Sequence, residues 1–345
     1  MSKIKLSILF AFYLLIIFGC NNPKDSVKID ETIKIEKIRS PWDIEAIFDN
    51  DRFYLLKDLK SLIHVYEKDS LIDNIQNTKT SINGNSLMVT GAMTKRMIDH
   101  GSEILIFQSY PNQIKIYNKS DLHLNPDLIK LRIKNTINII DGFYLGKNNI
   151  GLSTYNPDQN EYLLNLTTYN KSNQKITTIY EEVLNHPAKH SLVRNINDVL
   201  YILNPYDKKL IELDKKYKVK EAINLELFKE FNLSYSAPPQ YNSPNEYFMM
   251  SVEEQLASFN DEVYDFYVDN NFLYLLLRKR LINSNQKIQS YSELMKFDLA
   301  RKTVEKVKAK NILINFDQKG HILQYRQISD QHHLDVFPTE NLFNE

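Results

Sequence analysis

The chain has 345 residues but only one cysteine, eight glycines and one tryptophan. A single cysteine excludes an internal disulfide, so stability must come from an apolar core. Eight glycines are few for a chain rich in strand-forming residues, and none falls in a Gly-x-Gly-x-x-Gly phosphate loop. The Gly-x-Ser-x-Gly nucleophile elbow is missing, as is Ser-x-x-Lys with its usual companions. Charge of either sign is also lacking in excess, with 43 basic and 43 acidic residues. Without basic blocks there is no electrostatic footprint for nucleic acid, and no polybasic patch for a membrane surface. No apolar run reaches the roughly 20 residues needed to cross a bilayer.

What is present begins at the amino end. Lys3 and Lys5 precede an almost wholly apolar stretch from Leu6 to Phe18, which is followed by Gly19 and Cys20. A basic start, a short apolar segment and a small residue before the cut describe a bacterial secretory signal. There is no Ala-x-Ala site for release of a free protein. A cysteine directly after the small residue resembles the lipobox of bacterial lipoproteins, although Ile17 and Phe18 stand where leucine and a small residue are usual. The resemblance implies a signal peptide over residues 1–19, lipidation of Cys20, and attachment to the bacterial outer membrane, with periplasmic and surface-facing orientations both open. Removing residues 1–19 takes away Lys3 and Lys5 and leaves 41 basic against 43 acidic residues, a formal charge of −2. Residues 20–32 are polar and aperiodic and read as the lipidated cysteine with its tether.

The rest of the chain, residues 33–345, repeats a rhythm rather than a motif. Six polar turns begin at Asp49, Asp99, Lys147, Asn195, Asp269 and Gln318, and each leads into an apolar run such as Phe53–Leu56 or Phe272–Leu277. The spacings are 50, 48, 48, 74 and 49 residues. Asn, Asp and Gly tolerate the left-handed backbone of tight hairpins, and 21 Tyr with 17 Phe favour strands. A second landmark, an apolar or aromatic residue before a charged turn, recurs in phase at Tyr66, Tyr117, Tyr169, Leu213 and Phe297; the sixth unit has no clear copy. The long interval holds residues 228–260, whose Pro238, Pro239 and Pro244 do not belong in central strands. It reads as an inserted loop with one short helix at Ser251–Phe259.

A period near 50 with several strands per unit predicts an all-β chain folded as a six-bladed β-propeller, with the insertion between the fourth and fifth units. A large β-sandwich, or two smaller β domains, is the competing arrangement. The alternating Ile33-Lys34-Ile35-Glu36-Lys37-Ile38 is the strand expected to close the last blade. In this rhythm and in its Tyr-Asn-Lys turns the chain resembles the six-bladed propellers of the NHL and TolB-like group, especially Bacteroidota lipoproteins of this kind. Kelch propellers carry paired glycines that are absent here, and Trp42-Asp43 is an isolated match to WD repeats, explained by a packed tryptophan.

The chemistry-bearing residues form no catalytic pattern. His186 and His190 are four apart, but Pro187 interrupts a shared helical face. Neither a metal site nor a cofactor is expected. Propellers bind where loops from all blades converge, which directs attention to Tyr235, Tyr241 and Tyr247 in the insertion. Those rings serve either as a binding surface or as a cap folded onto the propeller. Arg96, Lys189 and Arg194 lie near unit starts and could reach the same mouth, though scattered solvated charges explain them better. The expected function is a lipid-anchored, non-catalytic protein that binds an envelope protein or glycan. The alternative is a metal-dependent lyase or lactonase-like hydrolase at the axis, permitted by the propeller resemblance and using His100, His190 or His321.

Overall fold

The computed structural model describes residues 31–343, apart from 39–40, 43, 50, 58–61, 68–69, 77–80, 84–85, 91–92, 110–111, 123–124, 132–136, 234, 237–250 and 258–259. Cys20, the signal segment and most of the proposed tether lie outside the described residues.

The described chain enters with β1 (Glu31–Ile35) and then builds blade one from β2 (Glu45–Asp49), β3 (Arg52–Lys57), β4 (Leu62–Glu67) and β5 (Ser70–Gln76). A hairpin of β6 (Ser81–Asn83) and β7 (Ser86–Thr90) precedes blade two, which holds β8 (Met93–His100), β9 (Glu103–Ser109), β10 (Gln113–Asn118) and β11 (Asp127–Lys130). Blade three is β12 (Asn138–Tyr144), β13 (Asn149–Asn156), β14 (Asn160–Asn170) and β15 (Ile176–Val183). Blade four is β16 (Leu192–Ile196), β17 (Val199–Asn204), β18 (Lys209–Leu213) and β19 (Val219–Asn224). After helix α1 (Val252–Ala257) comes blade five, with β20 (Glu262–Asp269), β21 (Phe272–Ile282), β22 (Ile288–Asp298) and β23 (Thr303–Lys308). Blade six has β24 (Ile312–Phe316), β25 (His321–Ile328) and β26 (Gln331–Pro338), and β1 supplies its fourth strand.

These are six antiparallel four-stranded sheets, and the first strands of successive blades touch all the way round, from β2 to β24 and back. The six polar turns of the sequence are the hairpins between the first and second strands of each blade. Asp51, Gly101, Gly146, Asn197, Asp198, Asn270 and Gly320 adopt positive φ there, as the Asn/Asp/Gly composition demands. The second landmark closes the third strand in blades one to five. Blade six lacks it because its third strand is the chain's last, and its fourth comes from the amino end. Ile33 pairs with Leu334 and Ile35 with His332, so the expected closing strand is present.

The apolar runs are continuous because both faces of each sheet are covered. Along β3, Phe53 and Leu55 pack toward blade six, while Tyr54 and Leu56 pack toward blade two. Along β9, Ile104 and Ile106 face blade one, and Leu105 and Phe107 face blade three. The Phe107 ring lies so close to β12 that a Cβ at Gly142 would stand 2.2 Å from it. Glycine is needed there for the approach of the two blades, not for its torsional freedom.

The Tyr-Asn-Lys turns fasten neighbouring blades. Lys119 Nζ is 2.5 Å from Asp49 of blade one and 2.9 Å from Asp99 of its own blade. Lys171 Nζ is 2.6 Å from Glu103 of blade two. The start of the insertion also folds back. Phe228 and Phe231 set their rings edge-on against Phe297 of β22, at 5.2 and 5.3 Å. The expected short helix is α1, while the β6–β7 hairpin has no counterpart in the sequence reading.

Candidate functional site

The antiparallel order gives the wheel two unlike ends. One end, the turn face, carries the hairpins from first to second strands and the turns after the third strands. The other, the loop face, carries the turns between second and third strands and every connection between blades, including the β6–β7 hairpin and the insertion.

Between the two ends, each first strand sends one polar side chain toward the axis. These are Glu45, Arg96, Asp141, Arg194, Asp265 and Asn315, one from each blade. Four of the six strands have a register shift just before that residue, at Arg96, Asp141, Asp265 and Asn315. Such a bulge re-aims a side chain, here out of the sheet and into the axis.

The six side chains join into a closed ring. Glu45 accepts a hydrogen bond of 2.5 Å from the Met97 N–H of blade two. Arg96 Nε lies 3.5 Å from Asp141, and Asp141 lies 3.7 Å from Arg194 Nη1. Arg194 donates to Asp265 from Nε at 2.9 Å and from Nη2 at 2.5 Å. Asp265 accepts from the Phe316 N–H at 2.8 Å. Asn315 accepts from the Ala46 N–H at 3.2 Å and donates to the Ala46 carbonyl at 3.1 Å, which returns the ring to blade one.

Burial sets the protonation chemistry. It pushes Asp141 up to about 7, against the opposing pull of Arg96 and the Gly142 N–H. It pushes Asp265 up to about 6, against Arg96 and the backbone N–H groups of Phe316 and Phe266. For Arg96 burial disfavours the charge, but Asp141, Glu45 and Asp265 outweigh it and hold the guanidinium protonated.

The ring partitions the axis into two recesses. On the turn face a cavity of about 120 Å³ is walled by Phe48, Phe143, Phe266 and Phe316. Gln318 of blade six donates across it to the Asp99 carbonyl of blade two at 3.3 Å. On the loop face a cavity of about 300 Å³ opens over Arg96 and Asp141, with Trp42, Tyr206, Tyr264 and His190 in its walls. The Arg278 guanidinium stands 4.8 Å from the centre of the Trp42 ring. The Tyr264 hydroxyl donates to the Leu313 carbonyl at 2.8 Å, and the Tyr206 hydroxyl to the Asp261 carbonyl at 2.6 Å. These bonds fix both rings while leaving their apolar bodies beside the recess.

A cluster of His and Tyr rings buttresses this mouth. Tyr206 is 4.9 Å from His190 and 5.2 Å from Tyr235, with His186 5.6 Å from Tyr235. His186 Nδ1 lies 2.5 Å from Asp207. Burial, with help from Lys189 and His186, pushes His190 down to about 4, so it is neutral at pH 7.

The residues named from sequence therefore separate. Arg96 and Arg194 are not solvated charges: each side chain is 15% exposed and bound into the ring. Arg96 borders both recesses and Arg194 the turn-face one, whereas Lys189 is exposed on the rim of the loop-face mouth. Tyr235 packs against the histidines as part of a cap; Tyr241 and Tyr247 lie outside the described residues. The three histidines of the metal alternative are not brought together. His100 bonds Glu103 and the Gly146 carbonyl, His321 bonds Asp317, and His190 belongs to the mouth. Among the described residues, no group of three or more His, Cys, Asp or Glu side chains is arranged to hold a metal ion.

Sequence reasoning missed Glu45, Asp141, Asp265 and Asn315, although a signal existed. For two of them it is a lone polar residue amid apolar neighbours, in Ile139-Ile140-Asp141-Gly142-Phe143 and Leu313-Ile314-Asn315-Phe316, whereas Glu45 and Asp265 share their strands with Asp49 and with Glu262 and Asp269. Trp42, Tyr206, Tyr264 and Arg278 come from unrelated parts of the chain and share no spacing.

No family model matches the chain, and no curated protein matches it. Solved structures do resemble it. A protein from Bacteroides fragilis provisionally classed as exported superposes with a TM-score of 0.52 at 9% identity, covering 93% of this chain and 97% of the other. A member of the DUF4221 family from Bacteroides vulgatus superposes with a TM-score of 0.50 at 11% identity, covering 90% and 97%. Identities this low speak for the shared fold alone. No helix among the described residues is long and apolar enough to cross a membrane.

Proposed function

We propose that this chain is an exported lipoprotein, anchored through Cys20 to the outer membrane, that binds an envelope glycan in the loop-face mouth without transforming it. The observation that carries this reading is the recess of about 300 Å³, walled by aromatic rings over a charged floor, on the face where all inter-blade loops gather. A volume of this order suits a small polar ligand, while a protein partner needs a broad surface. Flat rings beside fixed polar groups are the usual means of holding a sugar face. The acids beneath, Glu45 and Asp141, are held by backbone N–H groups and by the arginines, which supports binding rather than chemistry.

The position of β1 supports the anchoring. Glu31 pairs opposite Val336, near the turn-face end of β26, so the chain enters the wheel at the end opposite the mouth. A lipid on Cys20 would draw the turn face toward the bilayer and leave the mouth facing away from it.

The test is an array of bacterial envelope saccharides probed with the full chain in detergent. Binding should be selective, should be lost in Trp42→Ala and Tyr206→Ala, and should survive Lys171→Met on the turn face. An array without any bound saccharide, or binding indifferent to both mouth substitutions, contradicts the proposal.

A further inference from the structure

Resting on the mouth as a glycan site, the geometry points to an anionic sugar as its ligand, with the Arg96 guanidinium as the group that receives the charge.

The two arginines of the axial ring are unequal. Arg194 makes two hydrogen bonds to Asp265. Arg96 makes none: its Nε is buried without a hydrogen-bond partner, and its contacts with Asp141 and Asp265 are ion pairs at 3.5 and 3.8 Å. A guanidinium carries five N–H donors in a rigid fork that suits carboxylate and sulfate oxygens. One held desolvated, with donors unspent, at the floor of a recess is a receptor for an anion.

The other charges of the recess agree. Its buried acids are committed elsewhere. Glu45 accepts from the Met97 N–H, and Asp141 accepts from the Gly142 N–H at 2.8 Å while facing both arginines. Glu262 is exposed, where water screens it. Two further cations keep donors available. Lys189 has no ion pair among the described residues, and Arg278 spends one donor on Ser290 at 3.4 Å while its face rests on Trp42. Donors in surplus over free acceptors, beside aromatic faces, select a sugar that bears a carboxylate or a sulfate over a neutral one.

The test is a calorimetric titration of the full chain in detergent with digalacturonate, galactose 6-sulfate and neutral galactobiose. At least one charged sugar should bind about tenfold or more tightly than galactobiose. Arg96→Lys, which keeps the charge but loses the fork, should weaken that sugar about tenfold while galactobiose is unaffected. Lys189→Gln, on the exposed rim, should weaken it by a few-fold. Charged and neutral sugars binding alike through Trp42 and Tyr206 would overturn this inference and leave the glycan mouth standing. Failure of all three sugars, together with an empty saccharide array, would remove both.

Discussion

The two ends of the wheel are built differently. On the turn face every blade opens with a hairpin of two to four residues between its first and second strands, and Lys119 and Lys171 tie this end to acids of neighbouring blades. The loop face varies from blade to blade, with a hairpin in one connection and a long insertion in another. Its recess is also the larger, about 300 Å³ against about 120 Å³. The uniform end follows from the repeat, because every blade must reverse its chain in the same way. The irregular end is where six loops are free to differ, and there aromatic and cationic side chains collect over the axis. Regularity marks the scaffold and its interruption marks the site.

The sharpest way to break this picture is to open the ring between the two ends. Arg194→Met strips Asp265 of its main partner, and Asp265 has no exposed surface. Asp265 would keep the Phe266 and Phe316 N–H groups and the more distant Arg96, but breaking this buried pair by removing one partner should still cost about 3–5 kcal/mol, read by chemical denaturation. A loss below about 1 kcal/mol would show that the ring does not hold the blades together.

Gly142→Ala tests the blade contact beneath the mouth. Its methyl would sit 2.2 Å from the Phe107 ring, so repacking should cost about 1–3 kcal/mol. Gly101→Ala on the turn face meets no atom within 4 Å and carries only the strain of its φ of +73°. It should cost less. The reverse order would contradict the account of how these blades pack.

The ring also predicts a pH dependence. Asp141 protonates near 7 in the folded chain but near its ordinary 3.8 when unfolded. The folded state therefore binds the extra proton between these values, and stability falls as pH rises from about 4 to about 7. Thermal melts should show that decline, and Asp141→Asn should make it shallower and end it near pH 6, leaving the share that belongs to Asp265. A wild-type slope of the opposite sign would contradict the burial of this carboxylate.

The smallest effect should come from the turn-face clasps. Lys171→Met removes a single, partly exposed ion pair to Glu103 and should cost about 0.5–1 kcal/mol, and less at high salt.

How far the sequence reveals this molecule follows the same division. The spacing of Asp49, Asp99, Lys147 and Asn195 located the hairpins because each blade repeats the same backbone requirement. Ile33 and Ile35 disclosed the closing strand because alternation is the mark of a half-covered edge. The ring was less legible. Asp141 and Asp265 look like ordinary strand polars until a bulge turns them inward, and Arg194 reads as a surface charge until its partner 71 residues away is in place. The mouth was least legible. Trp42 lies ahead of blade one, Tyr206 in a turn of blade four and Arg278 in blade five, and closure of the wheel alone brings them together.

Hydrogen–deuterium exchange on the full chain, with and without a saccharide selected on the array, tests the central claim most directly. Protection should appear at residues 184–191 and 204–208 and around Trp42, while the hairpins at 99–103 and 195–199 stay unchanged. Protection confined to those hairpins would contradict the assignment of function to the loop face.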